Sequence, residues 1–194
     1  MSKGGSDKEY PRVSHQRLHL TPDEANRLIE CAAKRGRQRF RDKVMVRMAY
    51  RHGMRASEVC TLRWDAINLD EGTLYVRRRK MGKDSSHSMD RDELSALRKL
   101  HKDRTGPWVF ESERGGPCSV DTLARVIKEA AVLAKVPENL AHPHALRHAA
   151  GYFLVNSGQH DIRLVQDFLG HKTPAMTMHY TAVSPARLAA VRVR

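Results

Sequence analysis

The sequence predicts one mainly helical domain carrying a small antiparallel β-sheet (α+β). Two observations predict it. Over most of the chain, apolar residues recur at helical spacing between helix start and stop residues. One stretch, "GTLYVRRRK", breaks that period and alternates, with Leu74 and Val76 facing one way and Tyr75 and Arg77 the other. At 194 residues and 40% hydrophobic content the chain can bury a real core as one domain, or at most one and a half.

Residues 1–18 read as a flexible basic tail, and residues 19–194 as the folded domain. The first helix is expected at "LTPDEANRLIECAAKRG". Thr21 can cap it, Pro22 suits its first turn, Glu24 completes a capping box and Gly36 supplies a stop. "RFRDKVMVRMAYRHG" predicts a second helix ended by Gly53, and "ASEVCTLRW" a short third. A β-hairpin is expected near 73–89, with "MGKD" as the turn and "SSHSM" as the returning strand. "DRDELSALRKLHKDR" predicts a helix, and "WVFES" a short strand or extended piece. "SVDTLARVIKEAAVLAKV" is an amphipathic helix with Ser119 as its cap. "HALRHAAGYFLVNSG", "DIRLVQDFLG" and "TPAMTMHYTA" follow as three helices punctuated by Gly158, Gly170 and Pro174, and "PARLAAVRVR" can form a last short one.

Charge gives the first functional direction. Thirty-five Lys and Arg against 22 Asp and Glu leave a net +13. A field of that size draws polyanions, so nucleic acid is the expected partner, with an anionic membrane surface or ribosomal RNA as rivals. Aromatic residues make up only 6%, which argues against a single-strand RNA reader built on stacking. No apolar run approaches the roughly 20 residues that span a bilayer. The polar N-terminus lacks the apolar core of a secretory signal, so a cytoplasmic, nucleoid-associated address is expected. Cys31, Cys60 and Cys118 are scattered and read as reduced and structural.

Three short stretches can carry chemistry. "HPHALRH" packs three histidines and an arginine into residues 142–148. His144 and Arg147, three apart, share a helix face and can hold an anion near a helix N-terminus. His144 and His148 share the spacing of a zinc motif, but no glutamate lies between them and Arg147 would repel a dication. In "GMRASE", Arg55 stands at a helix start, where backbone N–H groups are free. In "LGHKTPAMTMHYTA", Tyr180 lies nine residues after His171, and a tyrosine can act as a covalent nucleophile. Each taken alone also fits a surface charge or a packed ring.

Their order is more telling. G-x-R-x-S-E, a hairpin lysine, H-x-x-R, L-G-H and a tyrosine nine residues later resemble the linear signature of the tyrosine recombinases, or phage integrase family, from about Leu18 to Leu188. "AYRHGMRASE", "HPHALRH" and "RLVQDFLGH" are most similar to the short fimbrial-type DNA invertases. The resemblance implies a site-specific DNA recombinase working through a 3′-phosphotyrosyl intermediate, with no metal and no other cofactor. Arg55 and Arg147 would grip the scissile phosphate, and His171 would donate a hydrogen bond to it. His144 would be the general base or would organise the pocket, and Tyr180 would be the nucleophile. The general acid would be a lysine shortly before the hairpin glycine Gly82, which favours Lys80 over Lys83. Arg77, Arg78, Arg79 and Lys83 would contact DNA. His148 and His142 become a structural residue and a loop residue.

The implied partner is double-stranded DNA with specific recombination sites, bound by a homo-tetramer, in a reaction controlling phase variation. Integration or excision of a mobile element, a topoisomerase-like relaxer, a DNA-binding regulator without recombinase activity and a zinc hydrolase are the other readings. Larger family members carry a separate DNA-clamping domain first. Here either the basic tail suffices or the chain is an excised catalytic domain. The segment after Tyr180 would dock on a neighbouring protomer or pack on its own core.

Overall fold

A computed structural model describes residues 17, 19–34, 36–78, 82–178 and 180. The basic tail apart from Arg17, the last predicted helix, Arg79 and Lys80 lie outside the described residues.

Helix α1 (Pro22–Ala32) starts where the capping box places it. The Thr21 N–H donates to Glu24 at 2.8 Å, and the Glu24 N–H donates back to the Thr21 hydroxyl at 3.2 Å. Its Leu28 and Ile29 face the core, against α2 (Arg39–Arg51) and α5 (Val120–Ala134). Ser119 caps α5 by accepting from the Thr122 N–H, and α5 ends on Lys135, a non-glycine in the left-handed region at φ 54°. These helices and α6 (Pro143–Asn156) enclose the main core, which includes Met45, Met48, Leu123, Ile127 and Leu146.

Helix α3 (Ala56–Cys60) is shorter than "ASEVCTLRW" predicts; the chain continues into a 3-10 turn at Trp64–Ala66. The sheet is antiparallel, in the order β1 (Ile67–Asn68), β2 (Thr73–Val76), β3 (Ser85–Ser88). The two-residue β1 is not anticipated by the sequence, since so short a strand leaves no alternation to read. The β2–β3 hairpin pairs Leu74 with His87 and Val76 with Ser85, and buries Leu74 and Val76 while Tyr75 stays exposed. "WVFES" is an extended piece held by bridges at Trp108 and Glu111.

Helix α4 (Arg91–Lys102) is capped by Asp90 and Glu93. The last three described helices are α6, α7 (Ile162–Leu169) and α8 (Pro174–Met178). They bury a second, smaller cluster of Val155, Val165, Leu169 and Tyr180. No helix among the described residues is long and apolar enough to cross a membrane. The three cysteines are buried free thiols, and burial pushes that of Cys60 up to about 12.

Candidate active site

The site forms where the ends of α2, α6 and α7 meet. Gly53 ends α2 with φ 53°, and a Cβ there would lie 2.5 Å from Leu169. The chain therefore turns tightly and delivers Arg55 to the N-cap of α3. Glu58, one turn on, accepts from the Arg55 N–H at 2.8 Å and from Arg55 Nη1 at 2.7 Å. Its second oxygen also accepts from Arg78 Nη1 at 2.9 Å. Burial pushes the Glu58 acid up, but the Arg55 N–H and the guanidiniums of Arg78 and Arg55 outweigh it and hold its pKa below the usual carboxylate value.

Arg147 rises from the first half of α6 and is buried. It donates to the Gly53 carbonyl and, at 2.7 Å, to the Leu169 carbonyl. Arg78 donates to the neighbouring Phe168 carbonyl. Two buried guanidiniums thus sit on successive carbonyls at the carboxyl end of α7, where backbone acceptors are free and the helix field favours cations. Burial, then Arg55 and Arg78, lower the Arg147 pKa to about 10. Gly170 closes α7 at φ 62°, and a Cβ there would lie 2.6 Å from Arg78 Cγ.

The chain then delivers His171, whose Nδ1 lies 2.8 Å from the buried Thr177 hydroxyl. Burial, with the repulsion of Arg147, Arg55 and Arg78, lowers its pKa to about 4. The imidazole is therefore neutral at pH 7. Tyr180 follows α8 and is only 5% exposed. Its ring lies 6.0 Å from that of His171, nearly parallel, and 5.6 Å from that of His148, edge-on. A Cβ on Gly151 would fall 2.6 Å from Tyr180 Cε2, so the ring rests on α6 itself. Burial pushes the phenol up, against a smaller pull from Arg147, so Tyr180 stands protonated at rest.

His142 is more than a loop residue: its Nδ1 accepts from the Ala145 N–H and caps α6. His144 sits exposed in the first turn, its ring edge-on to His148 at 4.1 Å. Partial desolvation, then Arg147, His142 and Arg55, lower its pKa. Among the described residues no group of three His, Cys, Asp or Glu is placed to hold a metal ion.

The expected residues thus divide. Arg55, Arg147, His171 and Tyr180 converge, with His144 at the rim. Arg77 is exposed, and Lys83 is exposed and paired with Asp167 at 2.9 Å. Arg78 corrects its expectation as a DNA contact. Its side chain is fully buried on Glu58, because Arg78 continues the inward register of Leu74 and Val76. The strand alternation carried that signal. Glu58 itself went unassigned, though its i,i+3 spacing from Arg55 pointed to a pair. Also missed was a buried contact between His52 and His87, whose Nδ1 atoms lie 3.2 Å apart. His87 also meets Ser85 at 2.8 Å and stacks on Phe168, tying the hairpin to α2 and α7.

Residues 19–187 match the phage integrase family, and the chain belongs to that family of tyrosine recombinases. It is 36% identical to the type 1 fimbriae regulatory protein FimE of Escherichia coli K12 over 182 residues, covering 90% of each chain. It is 35% identical to FimB of the same strain over 178 residues, covering 89% of this chain and 88% of FimB. Among solved structures, XerA recombinase superposes with a TM-score of 0.76 at 29% identity, over 90% of this chain and 64% of that one.

Proposed function

We propose that this chain cuts and rejoins DNA at specific sites through Tyr180, as a DNA invertase of the fimbrial type. The observation that carries the reading is the convergence of Tyr180, His171 and Arg147 with Arg55 around one cationic pocket. Arg55 and Arg78 share the carboxylate of Glu58 while Arg147 is held by backbone carbonyls, so three guanidiniums stand beside one carboxylate, which leaves net positive charge for a phosphate.

Tyr180 Oη attacks the phosphorus and gives up its proton, with the neutral His144 as acceptor or as organiser of the pocket. Charge builds on the non-bridging oxygens, where Arg55, Arg147 and His171 meet it. The bond to the 5′-oxygen breaks and Lys80 protonates that leaving group. A 5′-hydroxyl from another strand then reverses the step. The phosphotyrosyl bond conserves the phosphodiester energy, so the reading needs neither metal nor nucleotide. Arg77, Arg79 and Lys83 are the DNA contacts, and a homo-tetramer on two duplexes is the working assembly, in the cytoplasm with the nucleoid.

The likeness to FimE and FimB, whose names describe fimbrial regulators, supports inversion over integration. A plasmid carrying the DNA that flanks the coding sequence tests this. Inverted products support the reading, and integration or deletion alone overturns the invertase part. A nicked suicide duplex of the site so mapped should trap a covalent adduct that Tyr180→Phe abolishes. An adduct surviving that change defeats the mechanism, and loss of activity with a chelator defeats the metal-free reading.

A further inference from the structure

We propose that Arg78 is a positioning residue for strand cleavage, holding Arg55 ready for the phosphate through the carboxylate of Glu58 that the two arginines share. This rests on the reading of Arg55 as a phosphate ligand.

The Arg78 guanidinium is not available to DNA, because its side chain has no exposed surface. Nor does packing explain it. An apolar side chain continuing the run of Leu74 and Val76 would fill the site without the cost of burying a charge. The residue is nonetheless fixed from several sides. Its N–H donates to Asp84 at 2.7 Å, Nη1 to Glu58 and Nη2 to the Phe168 carbonyl. Gly82 and Gly170 make room for its stem, since a Cβ on either would meet it at 2.9 Å or closer.

The division of the Glu58 oxygens shows what this fixing does. Oε1 takes Arg55 Nη1, while Oε2 takes Arg78 Nη1 and the Arg55 N–H. Arg78 therefore pins one oxygen and sets the plane of the carboxylate. It also takes part of its charge. Without Arg78, only the Arg55 N–H still holds Oε2, and Glu58 is freer to turn and grip the Arg55 fork with both oxygens, the preferred geometry of such a pair. That would draw the Arg55 fork away from the phosphate and neutralise it.

The test is a double-mutant cycle in the full chain, on a suicide duplex of the site mapped by the plasmid assay. Arg78→Met should slow adduct formation about 100-fold, the scale of a misplaced catalytic group. Arg78→Lys should recover part of the rate. In an Arg55→Ala background, Arg78→Met should cost little more, under about threefold, because both changes remove the same interaction. Additive losses overturn the proposal. So does a further weakening of DNA binding by Arg78→Met in the Arg55→Ala background, with the salt slope reduced by about one more, which marks a phosphate contact of Arg78 itself. If the Met variant does not fold, the Lys variant carries the same cycle. If Arg55→Ala alone leaves cleavage intact, the underlying reading of Arg55 fails, and the proposal with it.

Discussion

The ring of Tyr180 rests on the backbone of Gly151, where a Cβ would lie 2.6 Å from Cε2 and 2.7 Å from Cζ. Glycine in a helix interior costs about 0.5–1 kcal/mol relative to alanine, so α6 gains nothing from it. The tyrosine does. Gly151→Ala should therefore leave the fold intact but displace the ring, slowing adduct formation about 100-fold. Single-turnover trapping beside a thermal melt checks both halves, and wild-type cleavage in the variant would refute the packing role.

Arg147 spans two carbonyls, those of Gly53 and Leu169, with a planar fork. A lysine ammonium cannot reproduce that geometry. Arg147→Lys is expected to lower the cleavage rate about 10²- to 10³-fold, as for loss of a donor to a developing oxyanion. DNA affinity should barely move, because the lysine keeps the positive charge. Filter binding and trapping on the same duplex separate the two effects.

Stability should fall on the acid side. His87 is held down to about 3 and His171 to about 4, mainly by burial, against an ordinary value of 6.5. Below that value the unfolded chain takes up protons that the folded chain refuses, so stability rises with pH up to about 6.5 and then levels. Each group accounts for on the order of 1 kcal/mol per pH unit inside its window. Melts between pH 4.5 and 8 should show this, and His87→Gln should make the slope shallower. An unchanged slope in that variant would count against a buried, neutral His87.

Cleavage should outlast free histidine on the same axis. His171 at about 4 and a lowered His144 both stay neutral below pH 6.5. The rate is expected to hold from pH 8 to about 6.5 and to decline only below it. An acid limb centred above about 7 would show that neither imidazole sets it.

Lys83 spends its charge on Asp167 across an exposed gap. Exposed pairs contribute little to stability. Asp167→Asn should leave the melt unchanged, free Lys83 for a phosphate and tighten DNA binding about two- to tenfold, with a steeper salt dependence. Unchanged affinity and slope would remove Lys83 from the DNA face.

Local chemistry made much of this legible in the sequence. The Thr21–Glu24 box, the Ser119 cap, Gly53 and Gly170 each act within a few residues and sit where their types predict. The hairpin was equally readable from Leu74 and Val76. What stayed hidden depends on meetings across the fold. Alternation put Arg78 on the side of Leu74 and Val76, but the partners that accept its charge there, Glu58 and Phe168, come from distant parts of the chain. His52 and His87 lie 35 residues apart, and neither position hints at the other.

The carboxyl end of α7 has a consequence for a chain still being made. Arg55, Arg78 and Arg147 all leave the ribosome before the Phe168 and Leu169 carbonyls that two of them need. An unfinished chain carries the cations but not the frame that aims them, and the tyrosine arrives later still. On the proposed reading, cutting is thus withheld until the segment carrying Tyr180 has emerged and settled on Gly151.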